Sequence, residues 1–328
     1  MNLEQTVRDL KSLGLDCTVM ESGAEGAFGV VPECGRVLGL WPHWRGENAL
    51  WVDPDFLDAL RAGARDDSWL CPGGDAMRLA PAAEFLEDGR TPPPSLDPGR
   101  YCRRAEKGVF AMQTSGDAWA WKAGLRVGFR LERRFHPLSE QDLEERWGAA
   151  WLRRAGYEEE AVLELPGNRP PSIGLWNILR VRPGGEARIP LGKSWGDTRL
   201  AELPPGTVGL ADACVVFPLA GDAAVRLGLE AAEVRPRIMY IEEHEPGRAM
   251  LLVRDFQAAS PPSAGSFVEC ARPAGRGPGE LACFSPVLAG GEPDRRGGGR
   301  ISWKLAVGAF SGRTAEVRAL VHRLAGPA

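Results

Sequence analysis

The chain has 328 residues, a formal net charge of −4, 44% hydrophobic residues and 26% charged residues. This balance excludes a disordered chain, and the near-neutral charge argues against a nucleic-acid binder, which needs a basic stripe to neutralise phosphates. No apolar run reaches the ~18 residues of a membrane-spanning helix, and a chain of this size buries roughly 75% of its unfolded surface without staples.

The first segment, MNLEQTVRDLKSLGL, places Leu3, Val7, Leu10 and Leu13 on one helical face and predicts a helix over about 2–14. It lacks the basic and apolar regions of a signal peptide, so a cytoplasmic location is expected. Four short apolar stretches read as strands separated by Gly-rich or polar turns: DCTVME, AFGVVP, RVLGLW and NALWVD (48–53). PDFLDALRAG (54–63) is a brief helix with proline near its start. TPPPSLDPG, within 88–100, is a proline-rich surface loop.

GVFAMQTSGDAWAWKAGLRVGFRLERRF (108–135) predicts two or three long strands. SEQDLEERWGAAWLRRAG (139–156) predicts a helix capped by Ser139, with acids in its first turn and Gly156 as its stop. The second half returns to strands: AVLELP, IGLWNILRV, GTVGLADACVVFPL, RIMYIEEH, RAMLLVRDF, GSFVECA, GELACFSP and RISWKLAVGAF. Their spacing is that of a meandering antiparallel protein rather than of alternating strand–helix units. Val317, Leu320, Val321 and Leu324 share a face of a closing helix over about 314–325. No polar linker forces a boundary, so 1–328 reads as one largely β domain.

Cysteines and histidines supply little chemistry. Seven cysteines, an odd count without a C-x-x-C pair, read as buried free thiols rather than zinc ligands or a disulfide framework. The four histidines form no H-x-x-x-H pair, and alternation along IEEHE (241–245) splits its carboxylates and imidazole between two faces. No metal site is expected. GGG (297–299) precedes a strand rather than joining a strand to a helix, so no phosphate cradle and no cofactor are expected. The eleven tryptophans are more suggestive: Trp41, Trp44, Trp51, Trp176 and Trp195 lie beside polar groups, where an indole can cover a sugar ring, although core filling is the ordinary use of tryptophan.

Four segments carry a resemblance. VVPECGRVLGLWPHWRGENALWVDPDF (30–56), SWLCPGGDAMRLAPAAEF (68–85), PSIGLWNILRVRPGGEARIPL (171–191) and SFVECARP (266–273) follow one another in an order that resembles the galactose-mutarotase-like superfamily, near the aldose 1-epimerases. The resemblance implies an all-β fold with a few helices, an antiparallel β-supersandwich with a sugar cleft. It implies Glu269 as a general base and Arg78 as a hydroxyl-binding arginine, with Trp176, Asn177, Asp75, Glu84, Trp51 and Arg36 as further substrate contacts. Ala76 stands where the family pattern has an arginine, Glu84 is shifted by two positions, and Trp176–Asn177 replace the Asn–His pair of true epimerases. A missing histidine removes the usual acid, so the fold can be kept while the chemistry is not. The implied partner is a small carbohydrate, with no nucleic acid and no membrane. Three activities follow: an epimerase-like isomerase or its degenerate relative, a non-catalytic carbohydrate binder, or a glycoside hydrolase or lyase pairing Glu269 with Glu84 or Asp75.

Overall fold

The computed structural model describes residues 2–61, 72–86, 92–167, 172–192, 207–221, 223–257, 267–273, 277–285, 288–289 and 298–326. The chain opens with helix α1 (Leu3–Ser12), strands β1 (Thr18–Ser22), β2 (Gly26–Val31) and β3 (Arg36–Trp41), helix α2 (Pro54–Arg61), strand β4 (Asp75–Ala80) and helix α3 (Ala82–Phe85). Strands β5 (Cys102–Glu106), β6 (Val109–Ala120) and β7 (Leu125–Pro137) lead to helix α4 (Glu140–Trp147). Then come β8 (Arg153–Leu165), β9 (Ser172–Val181), β10 (Glu186–Pro190), β11 (Gly209–Ala211), β12 (Cys214–Pro218) and β13 (Val225–Leu229). The last elements are β14 (Arg237–Glu245), β15 (Arg248–Phe256), β16 (Val268–Arg272), β17 (Gly279–Phe284), β18 (Leu288–Ala289), β19 (Gly299–Arg313) and helix α5 (Thr314–Ala325).

Two antiparallel sheets pack face to face. The first runs β1-β2-β3-β4-β9-β17-β16-β13, with β18 paired to β9; the second runs β11-β12-β10-β14-β15-β19-β8-β7-β6-β5. The largest apolar cluster lies between them, joining Met77, Leu79, Leu175, Leu179 and Leu281 of the first sheet to Leu131, Tyr157, Leu163, Leu252 and Val307 of the second. The outer face of the second sheet is covered by α4 and α5, whose Leu143, Trp147, Val317, Leu320 and Leu324 pack on Ala249, Leu251 and Phe310. Strand β19 registers this change of surroundings. Its first half alternates, with Ile301, Trp303 and Leu305 buried between exposed Arg300, Ser302 and Lys304, and beyond Leu305 both faces are buried.

A charged cluster bridges the sheets inside this core. Asp75 accepts from Tyr157 Oη at 2.5 Å, Asn177 Nδ2 at 2.6 Å and Arg133 Nη2 at 3.3 Å. Arg133 also holds Glu159 through two bonds of 2.5 and 3.0 Å. Arg254 Nη1 reaches from β15 to the carbonyls of Leu281 at 3.0 Å and Asn177 at 3.4 Å. Two carboxylates face two guanidinium groups, so the cluster is charge-balanced, which is what makes ionic burial tolerable.

Several expectations are met closely. RVLGLW is β3, and α5 spans 314–325. Asn2 caps α1 by accepting from Gln5 N at 2.9 Å, and Ser139 forms a reciprocal capping box with Asp142 at the start of α4. Others are corrected. NALWVD is not a strand: Asn48 accepts from Leu40 N and Leu50 N and donates to Leu38 O, holding the segment as a turn beside β3. The helix expected over 139–156 stops at Gly148, which adopts φ 59°, and Gly156 lies inside β8. Gly156 belongs there because it is paired with Gly308 and an added Cβ would stand 2.6 Å from Val307 O. The expected thiol burial holds for Cys34, Cys214, Cys270 and Cys283, whereas Cys17 is half-buried and Cys102 is exposed on the outermost strand β5. Cys71 and Trp195 lie outside the described residues.

Candidate functional site on the outer face of the first sheet

Alternation decides which side chains of the first sheet leave the core. On β4, Asp75, Met77 and Leu79 point between the sheets, so Ala76, Arg78 and Ala80 point outward. The ladder then aligns three outward rows. Arg78 pairs with Trp176, which pairs with Phe284. Ala76 pairs with Ile178, then Ala282, then Glu269. Arg180 pairs with Glu280, then Ala271, then Arg226. The middle row is small or aliphatic until it ends in Glu269, and it lies between a row rich in aromatics and a row rich in charge.

The first row is tightly built. The Arg78 guanidinium lies 5.7 Å from the Trp176 ring centroid, and Trp176 stacks on Phe284 with centroids 5.8 Å apart and planes 5° from parallel. Arg78 Nε donates to Asp97 Oδ2 at 2.7 Å, and Arg36 pairs with the other oxygen of the same carboxylate. Arg36 also donates to Gly73 O at 3.0 Å. Burial alone would raise the Asp97 carboxyl; Arg36, Arg78 and Arg180 outweigh it and hold Asp97 well below the usual carboxylate range.

The third row opens into a cavity of about 530 Å³ lined by Trp51, Asp53, Arg180, Arg226, Arg272 and Glu280, among others. Arg180 Nη2 donates to Glu280 Oε1 at 3.0 Å. Two backbone bonds hold Trp51 at the rim, Trp51 N to Arg180 O at 3.1 Å and Gly74 N to Trp51 O at 2.8 Å, and Arg180 N to Gly74 O at 2.9 Å ties the two partners to each other. The Gly73–Gly74 pair permits this approach. Both have positive φ, and a Cβ on Gly73 would stand 2.3 Å from Trp51 O. Burial pushes the Asp53 carboxyl up. Glu269, half-buried, stands two residues before Ala271 on the same face and pairs with Arg226 at 3.6 Å.

The structure therefore brings Arg78 and Trp176 together, adds Arg36 through Asp97, puts Trp51 on the cavity rim, and places Glu269 on the same face two strands away from Trp176. Asp75 and Asn177 lie on the opposite face, inside the charged cluster. Glu84 is turned to the β6–β7 turn, where its carboxylate accepts from Ala123 N at 2.8 Å. Neither Asp75 nor Glu84 is thus a facing partner for Glu269. Asp97, Arg180, Glu280 and Asp53 were not singled out from the sequence. Arg180 and Glu280 follow from extending the alternation of β9 and β17 by one step, whereas Asp97 arrives from TPPPSLDPG, expected as a surface loop but found as a short irregular helical element over Ser95–Gly99 with Leu96 and Asp97 buried.

The four histidines lie elsewhere: His43 in the turn after β3, His136 on β7, His244 on β14 and His322 on α5. Among the described residues no group of three or more His, Cys, Asp or Glu side chains could hold a metal ion. No helix among them is long and apolar enough to cross a membrane.

Two stacked antiparallel sheets in this order define a galactose-mutarotase-like β-supersandwich. The structure is similar to that of a candidate aldose 1-epimerase from Escherichia coli K12, with TM-score 0.52 and 11% identity over 90% of this chain and 99% of the other. It is similar also to a protein from Synechocystis sp. PCC 6803, with TM-score 0.50 and 13% identity over 91% and 96% of the two chains. A galactose mutarotase-like protein from Lactobacillus casei ATCC 334 aligns with TM-score 0.46 and 11% identity over 90% of this chain and 100% of that one. The first two likenesses are of fold. No family model and no curated protein matches the chain.

Proposed function

We propose that the protein binds a monosaccharide or sugar derivative in the cavity between Trp51 and the Arg180–Glu280–Arg226 row, on an aldose 1-epimerase-like scaffold. The observation that carries this reading is the cavity's composition. An indole at the rim can cover the apolar face of a pyranose, while Arg180 and Arg226 donate to hydroxyls and Asp53 and Glu280 accept from them. Its volume of about 530 Å³ lies within the range of small-molecule sites. The fold supports the reading by analogy.

Binding is favoured over isomerisation by the histidine placement. Opening a pyranose needs a base on the anomeric hydroxyl and an acid on the ring oxygen. Glu269 is the candidate base. Arginines remain protonated and cannot serve as the acid. One observation favours the second reading, a sugar isomerase: Asp53, a carboxyl raised first by burial, lines the same cavity as Arg226, the ion-pair partner of Glu269.

Calorimetry with D-glucose, D-galactose, D-mannose and N-acetylglucosamine at millimolar concentration tests the first reading. Binding that is lost in Trp51→Ala supports it, and no heat with any of the four overturns it. Polarimetry of freshly dissolved D-glucose and D-galactose tests the second. Acceleration abolished by both Glu269→Gln and Asp53→Asn supports isomerisation, and rates equal to the uncatalysed ones overturn it for these sugars.

A further inference from the structure

A second aromatic site lies on the other sheet. At the β6–β7 turn, Trp119 and Trp121 are 44% and 48% exposed, large fractions for indoles. Their rings meet edge to face, with centroids 6.3 Å apart and planes at 76°. The two residues therefore form a right-angled aromatic corner open to solvent. Its polar rim is close. Arg126 stands in register opposite Trp119, and its Nε lies 3.6 Å from Asp117 Oδ2, two residues before Trp119 on the same outward row.

The corner is held from beneath. Glu84 of α3 is buried; its carbonyl accepts from Trp121 N at 2.9 Å and its carboxylate from Ala123 N at 2.8 Å. Gly124 N closes the turn on Ala120 O at 2.8 Å. Pinning Trp121 and Ala123 to the backbone carbonyl and the side-chain carboxylate of one buried residue lowers the entropic cost of presenting the two rings.

We propose that this corner binds one pyranose residue of an oligosaccharide, as a subsite separate from the cavity beside Trp51. One indole stacks on the C–H face of the ring, the other closes its edge, and Asp117 and Arg126 bond its hydroxyls. The size of the patch selects this occupant. Two half-exposed indoles offer far less than the roughly 800 Å² per partner of a stable protein interface, and the rim is a carboxylate and a guanidinium rather than further aliphatic surface. The site shares a ligand class with the cavity but none of its residues, so each can fail alone.

The test is calorimetric titration of the whole protein with cellohexaose and with maltohexaose, repeated on Trp119→Ala, Trp121→Ala and Trp51→Ala. At least one hexasaccharide is expected to bind, with affinity reduced at least tenfold by each of the first two substitutions and retained in the third. Trp119→Phe, which keeps an aromatic face, is expected to restore most of the binding. Thermal melting of the alanine variants checks folding; both positions are exposed, so unchanged melting is expected. Absence of binding by either hexasaccharide overturns the proposal, as does binding indifferent to Trp119 and Trp121. A wild-type dimer in sedimentation that dissociates in Trp121→Ala overturns it too, by assigning the corner to a second copy of the chain.

Discussion

Arg78 and Trp176 are register partners on β4 and β9, and the guanidinium of the first lies 5.7 Å from the indole centroid of the second. The pair is anchored by Asp97, whose two oxygens are divided between Arg78 and Arg36. Removing that carboxylate leaves two buried guanidinium groups without their shared counterion. Asp97→Ala is expected to destabilise the fold by about 3–5 kcal/mol, measured by urea denaturation. A loss below about 1 kcal/mol would show that the arginines find other partners readily.

The same carboxylate makes stability depend on acid. Its folded pKa is depressed below the unfolded value near 3.9, so its contribution is present in full above that value and fades as pH falls toward the folded pKa. Denaturation midpoints between about pH 6 and pH 2.5 should fall below about pH 4 in the wild type. The decline should be shallower in Asp97→Asn, and equal slopes would exclude Asp97 as a contributor.

Tyrosine behaviour at high pH gives an independent check on the core. All three tyrosines have their phenols raised: Tyr101 and Tyr157 first by burial, with Asp75 adding to the effect at Tyr157, and Tyr240 by burial and then Glu242. A phenol raised on folding favours the native state below its unfolded pKa of about 10 and disfavours it above, because only the unfolded chain then ionises. Absorbance at the tyrosinate band should therefore stay flat past about pH 10 and rise only together with loss of β-sheet circular dichroism. A tyrosine titrating near pH 10 in the folded protein would contradict the burial of that ring.

Gly39 has no room for a side chain. An added Cβ would stand 1.8 to 2.5 Å from three atoms of the Trp41 ring, which is fully buried. Gly39→Ala should cost about 1–3 kcal/mol by overpacking, with the loss visible in thermal melting. Gly124→Ala makes a useful contrast. It has open space, so its cost should come from its positive φ of 64° alone.

Legibility in the sequence followed the strength of each local signal. β3 and α5 carry uninterrupted apolar or 3.6-period patterns and could be bounded closely. β10 and β13 were missed because Glu186, Arg188 and Arg226 dilute their apolar residues in segments only five long. The helix expected over 139–156 overruns because Ala149, Ala150 and Leu152 keep a helical composition after Trp147, while the stop, Gly148, looks in sequence like any other glycine. At the site, Arg78, Trp176 and Glu269 are legible only through the resemblance, since β4 and β9 are buried on both faces and carry no apolar–polar alternation that would place their side chains. Asp97 is not legible at all, since it sits in the short irregular Ser95–Gly99 element and its meaning comes only from the arginines that tertiary structure brings to it.

Glu269 allows function to be separated from folding. It is half-buried, and its ion pair with Arg226 spans 3.6 Å to a side chain that is 58% exposed. Exposed pairs of this kind contribute about 0–1 kcal/mol, because solvent screens them and ordering the long side chain costs entropy. Glu269→Gln keeps the shape and the hydrogen-bonding carbonyl but removes the charge and the capacity to take a proton. Melting of this variant should therefore match the wild type closely, while sugar affinity in calorimetry should fall if the carboxylate accepts a hydroxyl, and any polarimetric acceleration should vanish. Arg226→Ala removes both the ion-pair partner and a cavity donor, so it should weaken binding as well, and an effect larger than that of Glu269→Gln would make the guanidinium rather than the carboxylate the main contact. Unchanged affinity in Glu269→Gln would restrict ligand contacts to the cavity residues beside Trp51. A large drop in melting temperature would instead assign Glu269 to holding β13 against β16, where it stands opposite Gly228.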